Sequence, residues 1–539
     1  MATVKDSADG EKAVIEVEEH ATKGTSEDEI APVTSAYAGF TRGALIRKFK
    51  RLYVTGLMVA LGGVYAGYCN SVIGSIVANR GFIQAFATVH DPKTGKLVLD
   101  AQHVSIWAAV NYASQITFQF ISPFTADRFG RKFNMWVFTF FLTLSIILAI
   151  VAQNYIVLAL SRVAGGCASG MISTACMVYM SEIALPQFRG AMLGAFSLAF
   201  ALGQVFLAIG LKTLDVTAPY QFRRMFYSEF VFFGLWLVPV IYLPETPAWY
   251  ATKGRHEEGK KALHKLVGNV EGYDLDREYG VVRFEAEKSI ALAKSHGNSD
   301  WSALFTKNNI KRIIVATLPF TFQNFVGVAL IFGFTTYFFQ LANLKDPFLG
   351  KIIIQLVLLT GLVVSFYFVD KVGRRKLVIW GGVVLGIICF IVGGLGFREQ
   401  TSASGVGLIV LCAVWAFVYA NSMAPIGWIS LVEVSSPQLR AKTTACAAII
   451  QACTGLIFSY TVPIMLSNQG AGWGQKIGLF FGGITFVYLL PVIFFYPETK
   501  NRTYEELDEL FERGIPAWKF ETTKTRHQTA VAAERTHEP

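Results

Sequence analysis

Apolar residues in this chain come in long runs. Stretches of 18 or more residues with few charges recur, among them Met135–Ala152, Ile352–Val369, Leu377–Gly396 and Ile477–Tyr496. A helix of that length crosses the roughly 30 Å hydrocarbon core of a bilayer. Only a helix or a closed barrel satisfies its own backbone there. Twelve such runs are predicted as helices, at about 52–78, 104–123, 133–153, 156–180, 190–211, 227–243, 313–341, 348–369, 376–397, 405–432, 440–466 and 476–496. The chain therefore reads as an all-α membrane protein. Its predicted divisions are a polar tail (1–51), a six-helix bundle (52–243), a charged middle segment (244–312), a second six-helix bundle (313–496) and a second tail (497–539).

Composition agrees: 53% of the 539 residues are hydrophobic and only 16% are charged. A soluble chain of this length would form several domains, each needing a polar skin that this composition does not supply. That excludes a cytosolic enzyme, and the low charge also excludes a disordered chain. The net charge of +10 would suggest nucleic-acid binding in a soluble protein. Here Lys and Arg cluster between the apolar runs, so the expected partner is the lipid bilayer and not a nucleic acid. The segment 251–312 holds twelve of them, and the turns 127–132 and 370–376 are basic, whereas 153–155 is bare. Positive residues favour the cytosolic side, so both termini and the middle segment are predicted cytosolic. No leader precedes the first run, in keeping with a cytosolic N-terminus. The charge pattern of the middle segment predicts a small helical domain in preference to a bare linker.

All seven Cys fall inside apolar runs with no CxxC spacing, and all eight His fall outside them. No disulfide, metal site or cofactor is expected. There is no phosphate-loop string and no Ser, His and Asp pairing of the hydrolytic kind. Asn501-Arg-Thr503 matches a glycosylation sequon, but on the predicted cytosolic side it is idle.

Three strings occur twice in the same order. Asp127-Arg-Phe-Gly-Arg-Lys132 returns 243 residues later as Asp370-Lys-Val-Gly-Arg-Arg375; Glu182-Ile-Ala-Leu-Pro-Gln-Phe-Arg189 returns 251 later as Glu433-Val-Ser-Ser-Pro-Gln-Leu-Arg440; Pro244-Glu-Thr246 returns 253 later as Pro497-Glu-Thr499. Three collinear pairs mean a duplicated six-helix unit. Parallel repeats with a site between them describe an alternating-access carrier. These strings are predicted at cytosolic helix ends, where opposite charges can pair across the two halves when that side is shut. Arg131, Arg162, Glu182, Arg189, Glu245, Asp370, Arg374, Glu433, Arg440 and Glu498 are the candidates for such a gate. The plainer alternative is anchoring by solvated charges; duplication of acid together with base favours the gate.

At these residues the chain resembles the sugar porter family of the major facilitator superfamily. The strings that carry the resemblance are DRFGRK, RVAGG at 162–166, SEIALPQFRG, LPETPAW, DKVGRR, PIGWISLVE at 425–433 and PETKNRTYEELDELF at 497–511. Gln323-Asn324-Phe-Val-Gly327 with Gly333-Phe-Thr-Thr-Tyr-Phe338, Pro463-Ile-Met-Leu466 and Gly514-Ile-Pro-Ala-Trp-Lys-Phe520 looks most like the fungal α-glucoside (maltose-type) branch. The resemblance implies a sugar site lined by Gln204, Gln323, Asn324, Trp428 and Gln451. Carboxamides both donate and accept, as sugar hydroxyls do, and an indole covers an apolar sugar face. For a single Gln the alternative is interhelical glue.

Proton-coupled members carry an Asp in the first helix, and here Cys69 stands in Ala66-Gly67-Tyr68-Cys69-Asn70. A thiol is a poor proton carrier at neutral pH. Facilitated transport is expected, with proton symport as the alternative and a non-transporting sensor as a second alternative. Sensors are expected to carry long tails, whereas about 19 residues follow Phe520 here. Ala329, Gly333-Phe334 and Ala452 replace larger family residues, which implies a roomier cavity and a di- or oligosaccharide. The expected location is the plasma membrane.

Overall fold

A computed structural model describes residue 37 and residues 42–525, apart from 93–94, 96, 186–188, 296–306, 343, 345, 398–401, 435–439, 501, 503 and 524. The first half is built from α1 (Lys50–Ile76), α2 (Ala101–Phe129), α3 (Arg131–Val151), α4 (Tyr155–Ile183), α5 (Arg189–Thr217) and α6 (Arg223–Tyr242). In the second half α7 is split into Lys307–Phe325 and Thr335–Leu341, and α8 (Pro347–Val372) and α9 (Arg374–Leu395) follow. Then come α10 (Ser402–Asn421, resumed at Met423–Val434), α11 (Arg440–Leu466) and α12 (Ile477–Phe495). These are the twelve spans that the apolar runs predict, in two sets of six.

Ten of the twelve are long and apolar enough to cross a bilayer on composition alone; α2 and α7 are the exceptions. The reason lies in their side chains. α2 carries Asn111, Ser114, Gln115, Thr117 and Gln119 along its middle, and α7 begins with Lys307-Asn-Asn and is interrupted. Polar groups at membrane depth persist where they face protein or a wet cavity. Large apolar side chains such as Phe140, Val231, Tyr242, Trp380 and Val487 are meanwhile exposed on the outside of the bundle. On that scale an apolar surface marks contact with lipid; the chain is an integral membrane protein.

The end of the bundle where α1 begins is called the tail end below, and its opposite the far end. Between the halves run three helices, Pro247–Thr252, His256–Val267 and Leu275–Ser295. Lys260 pairs with Asp276 at 2.6 Å, and that hydrogen bond holds its ammonium above the usual lysine range.

A strap closes the far end. After α1 the chain forms the helix Arg80–Phe86, whose N-terminal amides from Gly81 and Phe82 are capped by Asn79 Oδ1 at 3.0 and 3.2 Å. It then makes a two-stranded antiparallel ladder of Val89–His90 and Leu97–Val98. The strap is fastened to the second half. Gln469 Oε1 accepts from Ala101 N at 3.1 Å, and its Nε2 donates to the Leu99 carbonyl at 3.1 Å. Nearby, Thr336 Oγ1 donates to the Ser75 carbonyl at 2.9 Å, and Lys212 pairs with Asp346. A Cβ on Gly74 would lie 2.1 Å from the Gly333 carbonyl, so α1 touches the break in α7 backbone to backbone.

Candidate functional site: paired latches and a central amide cluster

The duplicated strings fold into two matching latches at the tail end. Between α2 and α3 the chain turns on Gly130 with φ +103°, and between α8 and α9 on Gly373 with φ +106°. The turn presents the first amides of the next helix outward, where a carboxylate is favoured. Glu245 accepts from Arg131 N at 3.0 Å and Lys132 N at 2.9 Å; Glu498 accepts from Arg374 N at 2.9 Å and Arg375 N at 3.1 Å. Each arginine then reaches the acid at the end of α4 or α10. Arg131 Nη2 lies 2.8 Å from Glu182, and Arg374 Nη2 lies 3.0 Å from Glu433. Thr246 and Thr499 each donate a 2.5 Å hydrogen bond to the second oxygen of Glu182 and Glu433.

Both latches therefore tie three helix ends of one half together. The described pairs of Arg131, Glu182, Glu245, Arg374, Glu433 and Glu498 run within a half, whereas the sequence reading expected pairs across the two. The side chains of Arg189, Asp370 and Arg440 lie outside the described residues.

Arg162 corrects the sequence reading further, because it is not at the tail end. It sits in the second turn of α4 from the far end, 6% exposed. Its Nη2 donates to Ser145 Oγ at 3.2 Å and Ser161 Oγ at 3.0 Å. Glu229 of α6, 3% exposed, is the facing acid, and Cys69 of α1 lies beside it. Glu229 Oε1 and Arg162 Nε are both buried without a hydrogen-bond partner among the described residues. Sequence reasoning missed Glu229, yet a lone acid inside an apolar run is itself a signal.

The amide candidates fall into two groups. On α7, one turn before the break, Asn324 Nδ2 donates to the Gln451 backbone carbonyl at 2.8 Å and to Thr454 Oγ1 at 2.6 Å. Its neighbour Gln323 accepts from the Tyr419 hydroxyl at 2.8 Å and donates to the Met423 carbonyl at 3.4 Å. Trp428 is 37% exposed and meets Phe320 edge-on at 4.6 Å. Beside it, a Cβ on Gly427 would lie 2.3 Å from Gln323 Nε2. Gln323, Asn324, Trp428 and Gln451 are thus brought together. Gln204 belongs to the other half, where its Nε2 donates to Ser71 Oγ of α1 at 3.1 Å. Tyr419 is the member that sequence reasoning missed.

Just beyond these amides α7 breaks. Gly327 takes φ +99°, a π turn follows over Ala329–Gly333, and the helix resumes at Thr335. Broken helices flanking a polar site near the membrane centre are a recurring design in carriers.

The family profile described as "Sugar (and other) transporter" matches residues 55–511. The chain belongs to that family. Among curated relatives, the general alpha-glucoside permease of Saccharomyces cerevisiae is 26% identical over 519 residues, covering 93% of this chain and 83% of the relative. The high-affinity glucose transporter of Kluyveromyces lactis is 25% identical over 507 residues, 88% of each chain. The inward-open structure of the Escherichia coli xylose transporter XylE superposes with a TM-score of 0.69 at 22% identity, over 85% of this chain and 99% of that one. Membership makes the chain a membrane transporter with the major facilitator fold, and not an enzyme.

Proposed function

We propose that this transporter carries a di- or oligosaccharide of the α-glucoside type by alternating access, running downhill with no coupled proton. The observation that carries this reading is the pair of carboxamides Gln323 and Asn324, held by Tyr419 and by the Gln451 backbone with Trp428 nearby, next to the break in α7. Gln204 completes the sugar site from the first half. The small side chains at Ala329, Gly333 and Ala452 leave room for more than one hexose ring. A relative that is an alpha-glucoside permease supports the same substrate class. The tail end and both termini are cytosolic and the membrane is the plasma membrane in this reading, with the latches holding each half rigid as the two rock. Downhill transport follows from Cys69, which stands where coupled relatives have a carboxylate.

The purified chain in liposomes, offered maltose, maltotriose, sucrose, glucose and xylose with and without an imposed pH gradient, tests both parts. Uptake of the oligosaccharides that stops at equilibrium is expected. Accumulation driven by the pH gradient would overturn the downhill part. A specific observation favours that second reading: the buried Glu229 faces Arg162 with one oxygen unpartnered among the described residues. Under proton symport, Glu229→Gln abolishes accumulation and leaves exchange intact; under downhill transport there is no accumulation to lose.

A further inference from the structure

α8 buries Lys351 and Gln355, which neither the latches nor the amide cluster uses. Lys351 and Gln355 lie one turn apart, each 1% exposed. Neither amide atom of Gln355 has a hydrogen-bond partner among the described residues. Lys351 Nζ donates to the Phe332 carbonyl at 3.3 Å. The acid at the start of the same helix, Asp346, is engaged by Lys212 of α5. Among the described residues Lys351 has no counter-charge, which is costly for a buried ammonium, and an ionisable side chain inside a membrane bundle is by default a functional one. Methionine would fill the same space without that cost.

The acceptor explains the lysine. Phe332 lies in the π turn where α7 breaks, so its carbonyl is one that the regular helix ladder does not hold. Its ring packs edge-on against Trp415 at 5.6 Å and Tyr419 at 5.4 Å, and those two rings stack at 5.3 Å with 5° between their planes. The Tyr419 hydroxyl in turn donates to Gln323 Oε1. An unbroken line of contacts runs from ammonium to carbonyl, ring, hydroxyl and amide.

We propose that Lys351 is a positioning residue for the sugar site: its ammonium holds the broken stretch of α7 through the Phe332 carbonyl, and the Phe332–Tyr419 contact carries that hold to the Gln323 carboxamide. This rests on Gln323 being a sugar contact, as in the proposed function. Contiguity alone does not establish coupling, so the test is a double-mutant cycle.

The full chain in liposomes is assayed for exchange of radiolabelled maltose. Lys351→Met raises the half-saturation concentration about tenfold, the scale of one lost charge-assisted hydrogen bond, with the maximal rate near that of the original chain. Lys351→Arg keeps a donor and restores most of the affinity. Phe332→Leu raises half-saturation as well, and its combination with Lys351→Met is no worse than the weaker-binding single variant. Gln355→Leu, equally buried but off the line, changes nothing. Unaltered half-saturation in Lys351→Met, or additive losses in the double variant, overturns the proposal. If Lys351→Met does not purify, unaltered half-saturation in Phe332→Leu overturns it instead. Gln323→Ala separates the two levels: no effect there refutes the amide site itself, whereas a loss there beside an unaffected Lys351→Met refutes the positioning role alone. Absence of maltose exchange by the original chain refutes the substrate class and this inference with it.

Discussion

Gly130 and Gly373 hold backbone angles that a side chain adopts only under strain, and each faces a carboxylate. A Cβ would lie 2.1 Å from Glu245 at Gly130 and 2.6 Å from Glu498 at Gly373. Gly130→Ala therefore meets the left-handed penalty of about 1–2 kcal/mol and displaces the carboxylate that caps α3. Thermal unfolding in detergent is expected to fall for Gly130→Ala and by a similar amount for Gly373→Ala; an unshifted midpoint in either would contradict the latch geometry. Single residues also bear on the amide site. Gln204→Ala and Gln323→Ala are each expected to weaken maltose binding about tenfold, as one sugar hydrogen bond is lost, with expression intact. Unchanged binding in both would remove those amides from the sugar site.

The sequence was most informative where motif residues sit in short turns. Asp127-Arg-Phe-Gly-Arg-Lys and its copy were legible because six consecutive residues supply the turn, the helix start and the arginine. The Arg162 environment was not legible in the same way. Cys69 and Glu229, which lie near it, belong to α1 and α6, far from α4 in sequence, and convergence of three helices leaves no mark on local spacing.

At the scale of elements, α7 shows the same limit. The run 313–341 reads as one uninterrupted apolar span, yet the helix breaks between Phe325 and Thr335. An apolar π turn has the composition of the helix around it, so only Gly327 hinted at the interruption. Gly327→Ala is expected to disfavour the φ of +99° and slow exchange several-fold, in keeping with a backbone penalty of about 1–2 kcal/mol. Exchange at the original rate would show that the break does not govern turnover. The composition of α2, by contrast, says something true of its surroundings: its middle is polar, and there Asn111 Nδ2 donates to the Arg162 carbonyl of α4 at 3.1 Å.

Across the whole molecule the two latches are separate devices. Glu245 and Glu498 share no described partner. Their glutamine variants are therefore expected to destabilise the protein additively, within about 0.5 kcal/mol in a double-mutant cycle. A coupling well above that value would mean that the acids belong to one shared gate. At the opposite end the halves are joined directly. Gln469→Ala loses both bonds to the strap, so an impermeant thiol reagent is expected to reach a cysteine placed at Ser75 faster in that variant; equal rates would mean that the strap does not hold the far end shut.

Gln469 grips the strap by a carbonyl and an N–H, groups that every residue but proline carries in the same place. The fastening is consequently blind to side-chain identity at 99 and 101 but sensitive to length. Exchanging Leu99 for another apolar residue leaves both anchor points where they were. Inserting one residue between Leu99 and Ala101 moves them out of step with a single amide, and the clasp can then close on only one of them.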